Sequence, residues 1–390
     1  MINSNTSKNP PANLRQFVLY FLKLGYSGFG GPIALVGYIY RDLVEEKKWI
    51  TEEEYNEGLA LAQLSPGPLA AQLGIYLGYI HYRLLGATLT IIAFIIPSFI
   101  MVVLIGIAYK LFGGLPWMQA IFFGISAAVI GIIVAGSLKL TIKSIGNFNL
   151  ASFKKKWLLW LIFVFAIGVT LYDPTQGLLL YLFTGLLYMF IKAPPSWAKK
   201  IFTTSIIIGS LGFWEFETST LWKIAYFFSN AGAFVFGSGL AIVPFLHGGV
   251  VTQYHWLNEK QFLDAVAVAM ITPGPLIMTV GFIGYLIAGF PGAFIAAAST
   301  FLPCYLITIV TAPYFRKIAA NKSIKVFVEG ITASILGALV GAVIIISTRS
   351  IVDIQTAMIA ISALIILFYF KKIREPHIIL GAAIIGLILK

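Results

Sequence analysis

The sequence predicts an all-α polytopic membrane protein built from two related halves, and three observations carry that reading. The chain has 390 residues, of which 59% are hydrophobic and only 11% charged, whereas a soluble domain carries about 25% charged residues. Apolar runs recur along the whole length, and many exceed the ~20 residues an α-helix needs to cross the hydrocarbon core. Glycine and proline patterns in the first half return about 207 residues later.

Taken in order, the apolar runs are 17–40, 58–80, 84–109, 117–138, 157–172, 177–191, 201–214, 224–250, 262–287, 290–313, 326–348, 354–370 and 377–389. The runs 201–214 and 377–389 are short, so the expectation is about 10–13 transmembrane helices. The net charge of +12 comes from Lys and Arg in the joints between runs, as in Lys154-Lys155-Lys156 and Lys371-Lys372. That placement is a topology signal and gives no reason to expect a nucleic-acid partner. A cytoplasmic N-terminus puts the basic joints 139–156, 192–200, 316–325 and 371–374 on one side. The loops 112–116, 173–176 and 288–292, nearly free of Lys and Arg, then face the other side, as the positive-inside rule requires. Segment 41–57 fits less clearly, with Arg41, Lys47 and Lys48 among many acids. The expected location is the inner (cytoplasmic) membrane, with the lipid bilayer as partner and without a removable signal peptide. A homodimer is compatible with the sequence, which contains nothing that decides it.

The repeat is explicit. Adding 207 takes Phe29-Gly30 to Phe236-Gly237, Trp49 to Trp256, Glu57 to Asp264, and Ser65-Pro66-Gly67-Pro68 to Thr272-Pro273-Gly274-Pro275. After one deletion, an offset of 206 takes Gly86 to Gly292, Pro97 to Pro303, Gly124 to Gly330 and Gly131 to Gly337. The chain divides into a first copy at 1–195, a linker at 196–223 with room for an extra transmembrane helix, and a second copy at 224–390. An odd number of crossings between the starts of the copies makes this an inverted-topology repeat, an arrangement typical of secondary transporters with a midplane site. A duplication that only builds a symmetric scaffold is the competing reading.

Broken or re-entrant helices are expected at the Pro-Gly-Pro and Gly-rich motifs, although the sequence does not decide between spanning and re-entering. Pro66 drives Ser65 out of the helical region, so a helix through 58–64 stops there. A second helix starts around Pro66 to Pro68, with Ser65 or Gly67 as N-cap. Such a break frees backbone N–H groups, which hydrocarbon tolerates only when they are buried in protein or line a wet cavity. Free donors at a helix start attract anions. The candidate substrate-binding residues are therefore Ser65, Pro66, Gly67, Pro68, Thr272, Pro273, Gly274 and Pro275. Gln63 and Gln72 flank the first break and can hydrogen-bond an oxyanion. A kink that only shapes packing is the alternative.

"LGYSGFGGP" (24–32) and "AGAFVFGSG" (231–239) form a second matched pair. Here Gly30, Gly31, Gly237 and Gly239 are expected to line the same cavity, with Ser27 or Ser238 adding hydroxyls; close helix packing is the plain alternative. Lys23 either supplies positive charge or snorkels to the interface. The matched acids Glu57 and Asp264 are candidate proton-coupling residues, or simply solvated acids at helix starts. Glu329, His81 and Arg83 read as helix-end and topology features. One cysteine, Cys304, and four histidines give no basis for a disulfide, a metal centre or a cofactor. No Walker loop follows a strand, and no nucleophile–base pair or carboxylate pair sits in the runs, so an enzyme is not expected.

With these residues on view, the chain resembles the chromate ion transporter family in its long, two-domain form. The resemblance rests on "GFGGP" followed by "GY" (37–38), "LSPGPLAAQLGIYLGY" (64–79) and "FIIPSF" (94–99). In the second copy it rests on "FGSGLAIVP" (236–244), "TPGPLIMTVGFIGY" (272–285) and "FLPCY" (301–305). It implies export of chromate, with sulfate as an analogue that competes. The second copy has Gly237-Ser238-Gly239 where the first has Gly30-Gly31-Pro32, so equal roles for the two copies do not follow. An anion channel, or a carrier of another small anion, is the runner-up.

Overall fold

The computed structural model describes residues 13–29, 31–195, 219–233, 239–370 and 373–390. Gly30, Gly237, Ser238, the 201–214 run and the Lys371-Lys372 pair fall outside the described residues. The described chain forms sixteen α-helices. In the first copy these are α1 (Leu14–Ser27), α2 (Gly31–Ile39), α3 (Glu52–Leu64), α4 (Leu69–Phe112), α5 (Pro116–Ser144), α6 (Leu150–Lys155), α7 (Trp157–Tyr172) and α8 (Gly177–Lys192). The second contributes α9 (Thr220–Ala233), α10 (Val243–Leu246), α11 (Glu259–Ile271), α12 (Thr279–Thr311), α13 (Phe315–Ala320), α14 (Lys322–Ser350), α15 (Ile354–Tyr369) and α16 (Glu375–Leu389). By length and composition four segments can cross a membrane: Leu69–Phe112, Pro116–Ser144, Leu276–Tyr314 and Lys322–Ser350.

The run 58–80, a single candidate span by hydropathy, is two antiparallel arms. Tyr76 in α4 donates 3.1 Å to Glu57 Oε2 in α3, and His81 Nε2 lies 3.8 Å from Glu54 Oε1. These pairs centre on 66–68, so the Pro-Gly-Pro segment is the tip of a hairpin. Gly58 lets the arms close, because a Cβ there would meet the Leu73 and Tyr76 side chains. Hydropathy missed the start of α3 because its first turn is acidic, with Glu52, Glu53 and Glu54. A capping box fixes that start: Thr51 Oγ1 accepts from the Glu54 N–H at 3.2 Å, and Glu54 Oε2 accepts from the Thr51 N–H at 2.8 Å. Asn258 and Gln261 repeat the device at the start of α11.

The helices that flank the Gly-rich segments also pack on one another. Tyr20 in α1 donates to the Tyr38 carbonyl at 3.3 Å and to Asp42 Oδ2 at 3.2 Å, which folds α2 back along α1. In the second copy Phe227 of α9 stacks on Phe245 at 5.1 Å and packs against Gly249, the counterpart of Asp42.

A sharp turn divides α4 at Tyr82 and Arg83 and α12 at Ala288 and Gly289, with φ +54° at Arg83 and +62° at Gly289. Beyond each turn runs a long apolar segment. The copies then exchange their ends: α15 and α16 pack on α5, while α7 and α8 pack on α14. Gly131 of α5 abuts the Ala360 carbonyl of α15, and its counterpart Gly337 of α14 abuts the Phe163 carbonyl of α7. Ser144 and Ile145 border one cavity with Lys325, Val328 and Glu329, so α5 and α14 run antiparallel. At the α7–α8 turn, Asp173 accepts from the Thr175 N–H at 2.9 Å and from Gln176 Nε2 at 2.9 Å. Bonds from Thr175 and Gln176 hold its carboxyl below the ordinary range.

Candidate transport site

The two hairpin tips are built alike. Ser65 ends α3 and Thr272 ends α11, each with its N–H bonded four residues back, to Leu61 and Val268. Pro66 and Pro273 then block helical continuation. Gly67 (φ +137°) and Gly274 (φ +97°) make the reversal in backbone that favours glycine. Pro68, not Ser65 or Gly67, occupies the N-cap position of α4, with ψ 119° and no side-chain cap bond. The reason is local: Ser65 is already the C-cap of α3, and Gly67 is spent on the turn. After Pro275, a short 3-10 turn (Leu276–Met278) precedes α12.

Each tip is held by the other copy. Ser98 of α4 donates 2.7 Å to the Pro273 carbonyl, and the Gly274 N–H donates 2.8 Å to the Gly28 carbonyl at the end of α1. At Gly67 a Cβ would lie 2.5 Å from the Cβ of Cys304, the counterpart of Ser98.

Beside the tips lies a cavity of about 490 Å³. Its wall includes the repeat-related helix starts Leu69 and Leu276, together with Gly28, Gly31, Gln63, Thr272 and Gly274. Lys139 and Lys143, one turn apart at the end of α5, also face it, as does one acid, Glu375. Lys139 Nζ donates 3.0 Å to the Leu367 carbonyl.

Thus Gly31, Gln63, Thr272 and Gly274 come together on the cavity, and the other candidates among the described residues do not line its wall. Ser65 and Gly67 are buried at the first tip, with Pro66 and Pro68 beside them. Gln72 is fully buried, and its Nε2 donates 2.5 Å to the Pro66 carbonyl, so it braces the tip. At the second tip the Pro273 carbonyl is taken by Ser98, and Pro275 is the N-cap of the 3-10 turn. Thr272 turns its hydroxyl back to the Val268 carbonyl at 3.0 Å. Gly239 packs against Leu276. Lys23 borders a separate cleft with Arg41, Asp42 and Glu46. Glu57 bonds Tyr76, whereas Asp264 is 0% exposed and accepts from Tyr109 at 2.7 Å and Ser126 at 2.8 Å. Sequence reasoning put Lys139 and Lys143 in a basic joint. Their i, i+4 spacing directly after Gly136 was the available signal that both lie on one helix face.

At the end of the molecule opposite the cavity end of α5, an ion-paired cluster joins α14 to α11. Arg349, at the end of α14, pairs with Glu259 Oε1 at 2.5 Å, and Glu259 Oε2 meets the buried His247 Nε2 at 2.8 Å. The repeat counterparts are Lys143, Glu52 and Tyr40, and no ion pair joins Glu52 to Lys143.

Duplicated helical halves with exchanged ends, hairpin tips between long apolar helices and a cationic cavity beside them define a multi-pass membrane transporter. The model of the chromate transporter family matches residues 15–191 and 222–387, and the chain belongs to that family. It is 56% identical over 384 residues to the "Chromate transport protein" of Cupriavidus metallidurans, covering 97% of this chain and 94% of that one. It is 52% identical over 387 residues to the "Probable chromate transport protein" of Synechococcus elongatus, covering 97% and 96%. A "Chromate transport protein" of Pseudomonas aeruginosa is 28% identical over 405 residues, covering 97% and 92%. No solved structure matches.

Proposed function

We propose that the protein is a secondary transporter that exports chromate across the cytoplasmic membrane, with sulfate as a competing analogue, and that it is not an enzyme. The observation that carries this reading is the cavity bordered by both repeat-related helix starts and by Lys139 and Lys143. A bare dianion in apolar medium costs tens of kcal/mol, so a carrier needs fixed donors and cations at the site. Lys139 and Lys143 outnumber Glu375, which leaves the cavity wall positive. Backbone amides at the start of α4 and of the 3-10 turn that leads into α12 add favourable donors for an anion. An inside-negative potential drives a dianion outward with roughly 4.6 kcal/mol per 100 mV, twice the single-charge value.

Alternating access between inverted repeats is the mechanism we assign. The antiparallel course of α5 and α14 supports it, because these helices are repeat counterparts. So does the contrast between the ion-paired Glu259 and Arg349 at one end and their counterparts Glu52 and Lys143, not paired with each other, at the other, where Lys143 lines the cavity. In the alternate state Glu52 and Lys143 close their end while Glu259 and Arg349 part. Asp264 is the proton-coupling residue in this scheme, since it is buried with hydroxyl partners instead of a cation.

The test is uptake of labelled chromate and of labelled sulfate into everted vesicles, with and without an imposed potential. Saturable chromate uptake that sulfate inhibits and the potential drives supports the reading. Absence of specific uptake of either anion defeats it, and non-saturable flux points to a channel.

A further inference from the structure

Away from the central cavity, α7, α8 and α14 enclose a cleft of about 430 Å³ lined by Lys155, Lys156, Lys192, Lys322 and Lys325, with Glu329 as its acid. The lysines come from three distant parts of the chain and from both copies, so the exchange of helices between copies is what collects them. None is ion-paired among the described residues, and Lys156 Nζ only reaches the Ser144 carbonyl at 3.4 Å. Clustered like charges repel one another. Lys322 and Lys325 add to that repulsion, because they occupy the first turn of α14, which has no acid, where the helix dipole disfavours cations.

The fold does not require these charges. Counterparts of Lys322 and Lys325 at offset 206 are Pro116 and Gln119. Superposing α7–α8 on α15–α16, by an offset of 197 that pairs Phe163 with Ala360 and Gly185 with Ala382, replaces Lys155, Lys156 and Lys192 by Val352, Asp353 and Leu389. Five lysines at one end of the duplicated fold therefore have no lysine at their counterpart positions, where Lys390 is the one nearby cation among the described residues, over the Phe123 ring. Trp157, 56% exposed, sits on the rim, and the apolar side chains Leu161 and Ile191, exposed by 54% and 53%, continue along α7 and α8. Exposed aromatics of this kind mark the membrane–water boundary.

We propose that this cleft binds the phosphate headgroup of an anionic phospholipid, whose acyl chains lie along α7 and α8. The headgroup neutralises the lysine cluster and bridges α7–α8 of the first copy to α14 of the second. Basic pockets between membrane helices serve this purpose when the adjoining leaflet is anionic. The site does not depend on which solute the protein carries.

Native mass spectrometry of the purified full chain, titrated with cardiolipin or with phosphatidylcholine, tests the proposal. The wild-type protein retains cardiolipin in preference to phosphatidylcholine. The triple variant K192Q/K322Q/K325Q loses about a hundredfold in cardiolipin affinity, and K325Q alone falls between. A control with the same loss of charge elsewhere, K47Q/K48Q/K223Q, keeps wild-type affinity. Monodisperse elution of each variant shows that it is folded. Wild-type affinity in the triple variant overturns the proposal, as does equal loss in the control. Displacement of the lipid by millimolar inorganic sulfate also overturns it, because the cleft would then be a site for the free oxyanion.

Discussion

Ser98 and Cys304 are repeat counterparts, and each secures the hairpin tip of the other copy. Ser98 Oγ donates 2.7 Å to the Pro273 carbonyl, while Cys304 packs against Gly67. The tips are therefore positioned by side chains from outside their own hairpins, so movement of one copy's long helix is felt at the other copy's tip.

Gly67→Ala and Gly274→Ala test that coupling. Each places a Cβ on left-handed backbone, against Cys304 or Ser98, at a cost of about 1–3 kcal/mol. Both variants should lose thermal stability and transport together. Ser98→Ala keeps the backbone path, so it should lower flux with a smaller change in melting temperature. Wild-type flux in all three would dissociate the tips from transport.

Arg83 turns α4 at φ +54°, where its counterpart is Gly289. Arg83→Gly should raise stability by about 1 kcal/mol, because the strained side-chain-bearing residue is replaced by one that tolerates the conformation. Thermal unfolding in detergent checks the sign. A destabilised variant would mean that the Arg83 side chain has a holding role that outweighs the strain.

Double cysteine variants in a Cys304→Ser background test the two ends. Glu259→Cys with Arg349→Cys should be cross-linked readily by a bifunctional methanethiosulfonate reagent in the resting protein, which blocks transport until the cross-link is reduced. Glu52→Cys with Lys143→Cys should cross-link only during turnover. Transport by the fully cross-linked first pair would sink the proposed gate.

Lys139→Gln and Lys143→Gln should each raise KM for chromate by about ten-fold or more, as expected for loss of a charge-assisted contact worth about 1.5–3 kcal/mol. Lys143→Arg should restore most of the affinity. An unchanged KM in both Gln variants would place the anion elsewhere.

Asp264→Asn retains the shape that Tyr109 and Ser126 enclose and removes the titratable proton. Chromate binding should persist while flux stops responding to an imposed pH gradient. A response equal to wild type would exclude Asp264 as the coupling group.

Membrane character, duplication, the positions of both breaks and the rough ends of the long helices could be read from the chain, because hydropathy and proline or glycine chemistry act over a few residues. Two readings needed more. Run 58–80 became two arms because the contacts that fold it, Tyr76 on Glu57 and Leu73 on Gly58, lie between parts of one apolar segment that hydropathy treats as uniform. Lys139 and Lys143 looked like a cytoplasmic joint, since their place on the cavity depends on how α5 sits against the tips and α14.

The sequence by itself determined that this chain crosses a bilayer in two related halves, each interrupted at Pro-Gly-Pro, since those facts follow from local hydrophobicity and backbone restriction. Only the tertiary structure decided that the copies exchange their last helices and brace each other's tips. It alone decided which lysines share a cavity and that Arg349 pairs with Glu259. Those outcomes arise from packing between residues ninety or more positions apart, where small side chains set how closely helices approach, and periodicity along one strand of sequence carries no record of that.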